Sequence, residues 1–356
     1  THSGWTWVET GFKEKGDNME NIFHRFEKEL AKAKSNRSMN KPILVGFRTQ
    51  ASGEFEDDGT ETNTCKHKTR VVCMVDLMQI ILELKYAKPV QQLMANSVLY
   101  AGGKNPQQIS TIINNAKVRN QTWWSIDYSG YDMTISSWLI EDAFDVLKSI
   151  FKHVDDDEWE IIVKDFIHKD FIVNEGIVHA DKGVPSGSMF TQIIDSIVNC
   201  IVVMTYFNSI HAKCEMIAMG DDNLIFCNLP VSQLEDLSSY LAKNFGLETS
   251  AAKSSKGTRR DTPEFLSRFW RIDGQWRHPK LLVSRMLFPE RFRDYSGAVG
   301  PEHVIHAFVL TYRLGMGELI DVWRFKQDHP ISRDFVWNRV DSRYLPGAMA
   351  YIREYT

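Results

Sequence analysis

The sequence predicts an α+β fold, and three features predict it. Residues 214–218 and 224–227 are mostly apolar and flank a Met219-Gly220-Asp221-Asp222-Asn223 turn, the pattern of a β-hairpin. Residues 264–270 and 276–283 bracket an Asp273-Gly274 turn in the same way. Elsewhere apolar residues recur at helical spacing, as at Ile22, Phe23, Phe26 and Leu30. Hairpins mixed with amphipathic helices make an α+β architecture. At 356 residues the chain exceeds the usual single-domain size, so two or three subdomains are expected. A composition that is 43% hydrophobic and 25% charged can bury a large core.

The chain is organised around the first of those turns. Adjacent carboxylates repel, and turn chemistry does not require two of them. A divalent cation beside Asp221 and Asp222 would offset the repulsion, and oxygen ligands suit Mg²⁺ or Mn²⁺. The competing reading is a solvated turn, because Gly, Asp and Asn are common turn residues.

Composition also sets exclusions. A net charge of −4 gives no argument for a nucleic-acid role, but residues 251–294 hold eleven Lys/Arg against five Asp/Glu. That local basic surface suits phosphates. The cysteines (Cys65, Cys73, Cys200, Cys214, Cys227) are scattered, with no Cys-x-x-Cys pair. They suggest neither a zinc site nor a disulfide framework, and a reducing compartment fits. No signal peptide is visible, and the apolar stretch 193–207 carries Asp195 and Asn199, so no membrane span is read. The chain begins at Thr1 rather than Met and reads as a fragment or a processed product.

In chain order, residues 18–35 read as a helix, 42–47 as a short strand and 52–64 as an acidic exposed loop. On a strand, Lys66, Lys68 and Arg70 would project to one face. Such a row could hold a triphosphate, with Arg as the planar clamp, or simply form a charged edge that discourages aggregation. Residues 76–86 read as a helix, and 102–106 as a loop lacking the full phosphate-loop pattern. Residues 123–127 read as a strand ending in Asp127, followed by a turn with Asp132 and a helix over 136–151 capped by Ser136 or Ser137. Residues 155–165 read as a surface helix, and 171–179 as a hairpin around Glu175-Gly176. The loop 182–188 leads into a long apolar helix capped by Ser188. On that helix Thr191, Asp195 and Asn199 form one polar stripe that needs partners, from neighbouring backbone or from a substrate. Residues 231–245 read as a helix, 246–256 as a turn and strand, and the stretch from Met286 as a helical subdomain punctuated by prolines.

Asp127 to Asp132, Ser186-Gly187 with Thr191 and Asn199, and Gly220-Asp221-Asp222 occur in this order. Together they resemble motifs A, B and C of viral RNA-dependent RNA polymerases. Residues 183–192, with Asp195-Ser196 and Asn199, resemble motif B of picobirnaviruses and partitiviruses. Gly46-Phe47-Arg48-Thr49-Gln50 with Lys68-Thr69-Arg70-Val71-Val72 is similar to their upstream fingers signature. The resemblance spans residues 45–285.

It implies a right-hand fold of fingers, palm and thumb, with an antiparallel-sheet palm flanked by helices. The divisions implied are part of the fingers over 1–120, palm over 121–152, a fingers insertion over 153–182, palm over 183–285 and part of the thumb over 286–356. It implies that Asp127 and Asp221 bind two Mg²⁺ or Mn²⁺ ions, with Asp222 in support. Asp132 and Asn199 would read the ribose 2′-hydroxyl, and Ser186, Gly187 and Thr191 would lie beside the nascent pair. Lys68 and Arg70 would contact the triphosphate, with Lys66 a weaker candidate. Lys253, or in its place Lys256, would protonate the leaving pyrophosphate. Arg268, in a motif E-like stretch, would contact the primer.

The implied partners are template and nascent RNA, ribonucleoside triphosphates and a viral capsid protein, with no membrane. The implied setting is a viral particle in host cytoplasm, copying a double-stranded RNA genome. Two rival readings stand beside this one. A reverse transcriptase also carries paired Asp at a hairpin tip, though typically after an aromatic residue, where this chain has Gly220. An inactive RNA-binding or capsid-associated scaffold predicts salt-sensitive binding without turnover. The stretches before Lys66 and after Arg285 are short for complete fingers and thumb, which leaves a compact polymerase or a trimmed core.

Overall fold

In the computed structural model of the chain, Gly4 and residues 19–51, 67–272 and 274–277 are described. They fall into two units. Residues up to 48 and from 70 to 272 form the first, which carries the site; residues 49–51, 67–69 and 274–277 belong to the second. The acidic loop 52–64, Lys66, Asp273 and the proline-punctuated C-terminal stretch lie outside the described residues.

The centre of the first unit is a four-stranded antiparallel sheet. It comprises β3 (Thr122–Ser125), β6 (Cys214–Met219), β7 (Asp222–Cys227) and β8 (Ser255–Thr258), in the order β6-β7-β3-β8. Register runs Trp124↔Ile225 and Met216↔Ile225 along one row, Trp123↔Phe226 along the next. Side chains alternate across a strand, so the two tryptophans face opposite ways. Trp124, Ile225, Met216 and Ala218 join a core with the helices α5 (Ser137–Lys148), α7 (Thr191–Ser209) and α8 (Leu234–Phe245). Trp123, Phe226, Leu224 and Ile217 join another, with Ile109, Ile113 and Ala116 of α3 (Pro106–Arg119). Burial on both faces explains why these strands read as continuous apolar runs rather than alternating ones.

A second sheet runs in the order β2-β1-β4-β5, from β2 (His67–Met74), β1 (Ile43–Ala51), β4 (Lys169–Val173) and β5 (Gly176–Ala180). Here β1 and β4 are parallel, Ile43 lying against Phe171, while β4 and β5 form the hairpin expected around Glu175-Gly176. Helices α1 (Met19–Asn36), α2 (Leu77–Met94) and α6 (Asp156–Ile167) complete the larger core. Tyr86, Phe144, Trp159, Phe166 and Phe190 meet there in edge-to-face pairs. Among the described residues, no helix is long and apolar enough to cross a membrane.

Several boundaries differ from the sequence reading. Helix α2 runs on past Tyr86 to Met94 and tolerates Pro89 inside it. Helix α3 was not foreseen, although Asn105 and Gln108 form a capping box around Pro106. The expected helix over 136–151 is preceded by a four-residue turn of helix, α4 (Tyr131–Thr134), and Ser136 sits at the N-cap without a side-chain cap bond. Ser188 does not cap α7 directly; Phe190 holds that place and donates its N–H to Ser188 Oγ at 3.0 Å. The expected strand over 264–270 divides into β9 (Glu264–Phe265) and β10 (Arg268–Arg271), paired across Leu266 and Ser267, both left-handed. Strand β11 (Gly274–Trp276) takes in Gly274, which the sequence reading put in the turn, and most of the expected strand over 276–283 lies outside the described residues.

Candidate active site

The Gly220 turn is tighter than the sequence suggested. Met219 pairs with Asp222, so only Gly220 and Asp221 form the turn and Asp222 opens β7. Gly220 takes the first central position with φ +69°, a left-handed value that glycine adopts without strain. Asp127 lies two residues beyond the end of β3. Its N–H donates to Ser254 Oγ at 3.1 Å, and its carbonyl accepts from Ser250 N at 2.8 Å. The turn over 250–254 therefore fixes the backbone that carries this carboxylate.

Two polar residues of α7, Ser196 and, from the stripe, Asn199, find partners at the hairpin tip. Ser196 Oγ accepts from Gly220 N at 2.8 Å. Asn199 donates to the carbonyls of Gly220 and Asp221, each at 3.0 Å, and its Oδ1 accepts from Tyr128 Oη at 3.1 Å. Asn223 Oδ1 accepts from Ile126 N at 3.0 Å, tying the hairpin to the end of β3. This corrects the expectation for Asn199. It is fully buried. In this structure it braces the turn, with its amide groups taken up by protein.

Asp195, one turn earlier, is the member of the stripe to which the resemblance gave no role. It is 4% exposed, and its Oδ1 has no hydrogen-bond partner among the described residues. Burial, then Asp132 and Asp221, raise its carboxyl well above the usual range. Asp132 is raised by burial and by Asp221, with Arg70 opposing. Asp222 is pushed up to about 7, first by loss of solvent around the carboxyl, then by Asp221, Asp127 and Glu264, again opposed by Arg70. Five aspartates and one exposed arginine of β2 therefore share one electrostatic field. The site is rich in negative charge and built from oxygen donors, which suits Mg²⁺ or Mn²⁺. Among the described residues the tip acids do not close into a three-ligand group within 4.8 Å, as uncompensated like charges stand apart.

The other expected residues divide. Ser186 Oγ accepts from Cys73 N of β2 at 3.0 Å. A Cβ on Gly187 would stand 1.9 Å from the Cys73 carbonyl oxygen, so only glycine lets the loop lie on that strand. Thr191 donates to the carbonyls of Pro185 and Ser188 at 2.6 and 3.0 Å and closes the loop on itself. Buried Glu83 of α2 accepts from Ser188 Oγ and Met189 N at 2.9 and 2.8 Å, a carboxylate at the entry of α7. Neither periodicity nor motif spacing marks Glu83. Lys256 reaches back to Glu235 of α8 at 3.4 Å, whereas Lys253 lies in the turn that holds Asp127. Arg268 stands opposite Phe265, beside Trp270, which is buried against the sheet. The side chain of Lys68 lies outside the described residues.

Residues 8–288 match the family model described as viral RNA-dependent RNA polymerase. Part of the Ljunganvirus 1 genome polyprotein is 26% identical over 296 residues, covering 74% of this chain and 12% of that protein. The RNA-directed RNA polymerase of Cryptosporidium parvum virus 1 (strain KSU-1) is 34% identical over 155 residues, covering 39% of this chain and 28% of that enzyme. The crystal structure of the RNA-dependent RNA polymerase of a human picobirnavirus superposes with a TM-score of 0.64 at 16% identity. That match covers 88% of this chain and 60% of the other, and it shows the right-hand polymerase fold. The chain thus spans 12% and 28% of the two viral proteins and 60% of the picobirnavirus polymerase structure.

Proposed function

The chain belongs to the viral RNA-dependent RNA polymerase family, and on that premise we propose that it catalyses template-directed RNA synthesis from ribonucleoside triphosphates. The observation that carries this reading is the field shared by Asp127, Asp132, Asp195, Asp221 and Asp222 at one hairpin tip, faced by Arg70. Two divalent cations, Mg²⁺ or Mn²⁺, would be held by Asp127 and Asp221 with Asp222 in support, and would stabilise the attacking and leaving oxygens. Arg70 offers a planar clamp for the triphosphate, with Lys68 as its neighbour on β2. Asp132 and Asp195 address the ribose 2′-hydroxyl. Burial, then Asp132 and Asp221, raise the Asp195 carboxyl, and its Oδ1 has no hydrogen-bond partner among the described residues.

Lys253 is the proton donor to pyrophosphate, a role favoured by the ion pair that draws Lys256 toward Glu235. Ser186, Gly187 and Thr191 shape the loop that borders the nascent pair, and Arg268 meets the primer strand. By family likeness the template is viral RNA with a double-stranded genome, copied inside a particle in host cytoplasm beside a capsid protein.

Primer extension on an RNA template tests the reading. The native chain is expected to extend the primer with Mg²⁺ or Mn²⁺, and Asp221→Asn to abolish extension. Preference for deoxynucleotides would indicate a reverse transcriptase instead. Salt-sensitive RNA binding without any turnover would indicate a scaffold.

A further inference from the structure

The hairpin β4–β5 carries a second cluster of ligating groups, away from the acids of the hairpin tip in sequence and in role. His168 ends α6, Asp170 and His179 face each other as cross-strand partners, and Asp181 follows β5. His168 Nδ1 and His179 Nε2 approach the same oxygen, Asp181 Oδ1, at 2.6 and 2.7 Å. The remaining ring nitrogen of His179, Nδ1, lies 2.8 Å from Asp170 Oδ1. Among the described residues, His168, His179 and Asp181 are the one group whose three ligand atoms all fall within 4.8 Å of one another.

Two imidazole nitrogens and a carboxylate converging on one point, with a further carboxylate holding the back of one ring, is the donor pattern of a zinc-class site. Asp170 would fix the His179 tautomer so that Nε2 presents its lone pair. The donors come from a helix end, a paired strand and a strand end, so their backbone is fixed. Around an ion the donor atoms stand roughly 3.3 Å apart, for bonds of about 2.0–2.1 Å. All three side chains are exposed and can rotate by that much.

We propose that His168, His179 and Asp181 bind a zinc-class divalent cation, oriented by Asp170 and separate from the Mg²⁺ or Mn²⁺ ions of the polymerase centre. The fourth position is open to water or to a ligand from elsewhere. The site lies next to Lys182 and Gly183, where the loop leading to α7 begins, so a bound ion would fasten the base of that loop.

Cobalt is the probe. The full chain, in excess Mg²⁺, is titrated with Co²⁺ while its visible d–d absorption is recorded, and Zn²⁺ is then added as competitor. The expected result is a stoichiometric band displaced by Zn²⁺. It should persist in Asp221→Asn, disappear in His179→Gln and Asp181→Asn, and weaken about 10–100-fold in Asp170→Asn. Far-UV circular dichroism checks that each variant is folded, and Asp170→Asn, which removes no ligand, guards against loss through misfolding. Absence of a band in the native chain would overturn the proposal. A band lost with Asp221→Asn but kept by His179→Gln would overturn it too, and would move the ion to the polymerase acids.

Discussion

Asn199 and Asp195 sit one helical turn apart and do opposite work. Asn199 joins three groups of the hairpin tip to Tyr128, so truncation strands buried carbonyls that each cost about 1–3 kcal/mol. Asn199→Ala is expected to lower unfolding stability in urea by roughly that amount or more, and to depress ribonucleotide and deoxynucleotide incorporation equally. Asp195→Ala should instead shift the ratio between the two, read as relative kcat/KM. An unchanged ratio would remove Asp195 from ribose selection. Asp222 yields a pH prediction. Its folded pKa, about 7, lies above the usual 3.8 because of burial and then Asp221 and Asp127. The native state thus binds the proton more tightly than the unfolded chain, a stabilising contribution present below about pH 4 and lost as pH rises through 7. In chelator, Asp222→Asn is expected to flatten the fall in Tm between pH 4 and pH 8. Added Mg²⁺ should raise the native Tm and leave the variant's less changed.

At the scale of elements, the loop before α7 is held from three directions. Ser186 and Gly187 lie on β2, Glu83 of α2 takes Ser188 and Met189, and Lys169 of β4 holds its start. Lys169 is buried, and its ammonium donates to the carbonyls of Phe166, Ile167, Lys182 and Gly183 at 2.8–3.0 Å. Burial pulls it down to about 8, with Cys73 and Asp181 opposing. Lys169→Met removes those donors and leaves buried carbonyls open. A loss of about 2–4 kcal/mol is expected in denaturant unfolding, with faster proteolytic cutting near Gly183. Gly187→Ala is expected to cost about 1–3 kcal/mol through overpacking against Cys73 and to abolish primer extension, because the loop must leave β2. Extension at the native rate would show that this contact is dispensable.

At the scale of the molecule, the first unit holds together through one aromatic knot. Phe144 of α5 touches Trp159 and Phe166 of α6, and Phe190 at the head of α7, with ring centroids 5.2–5.8 Å apart. Phe144→Ala should therefore cost about 3–5 kcal/mol, measured by the urea midpoint, and should loosen α7 and with it the hairpin tip. A small loss confined to α5 would mean that the helices do not act as one body. The sheet beneath is closed by Trp124 on one face and Trp123 on the other, each in its own core.

Much of this was legible in the chain. Strands, hairpins and most helices follow from period and turn chemistry, which are local. The Asp221-Asp222 pair stands out because turn chemistry does not require two adjacent carboxylates, whereas the roles of Asp127 and Asp132 come from the resemblance, since a turn and helix entry would equally account for Asp132. The stripe Thr191, Asp195, Asn199 was visible because residues four apart share a helix face. Its assignment was not, since which member is sealed under the hairpin and which keeps an unpaired oxygen depends on packing between α7, β3 and β7. The same holds for Glu83, Lys169 and the His168–His179–Asp181 cluster. Each takes its role from groups distant in sequence or across a sheet register, so charge and spacing along the chain carry no mark of it. Sequence indicated most of the kinds of element, and the roles of the motif acids rest on the resemblance. Tertiary structure decided which polar groups spend their hydrogen bonds on the fold and which remain for a substrate, because a hydrogen-bonding group buried between elements is satisfied only by what the fold brings to it.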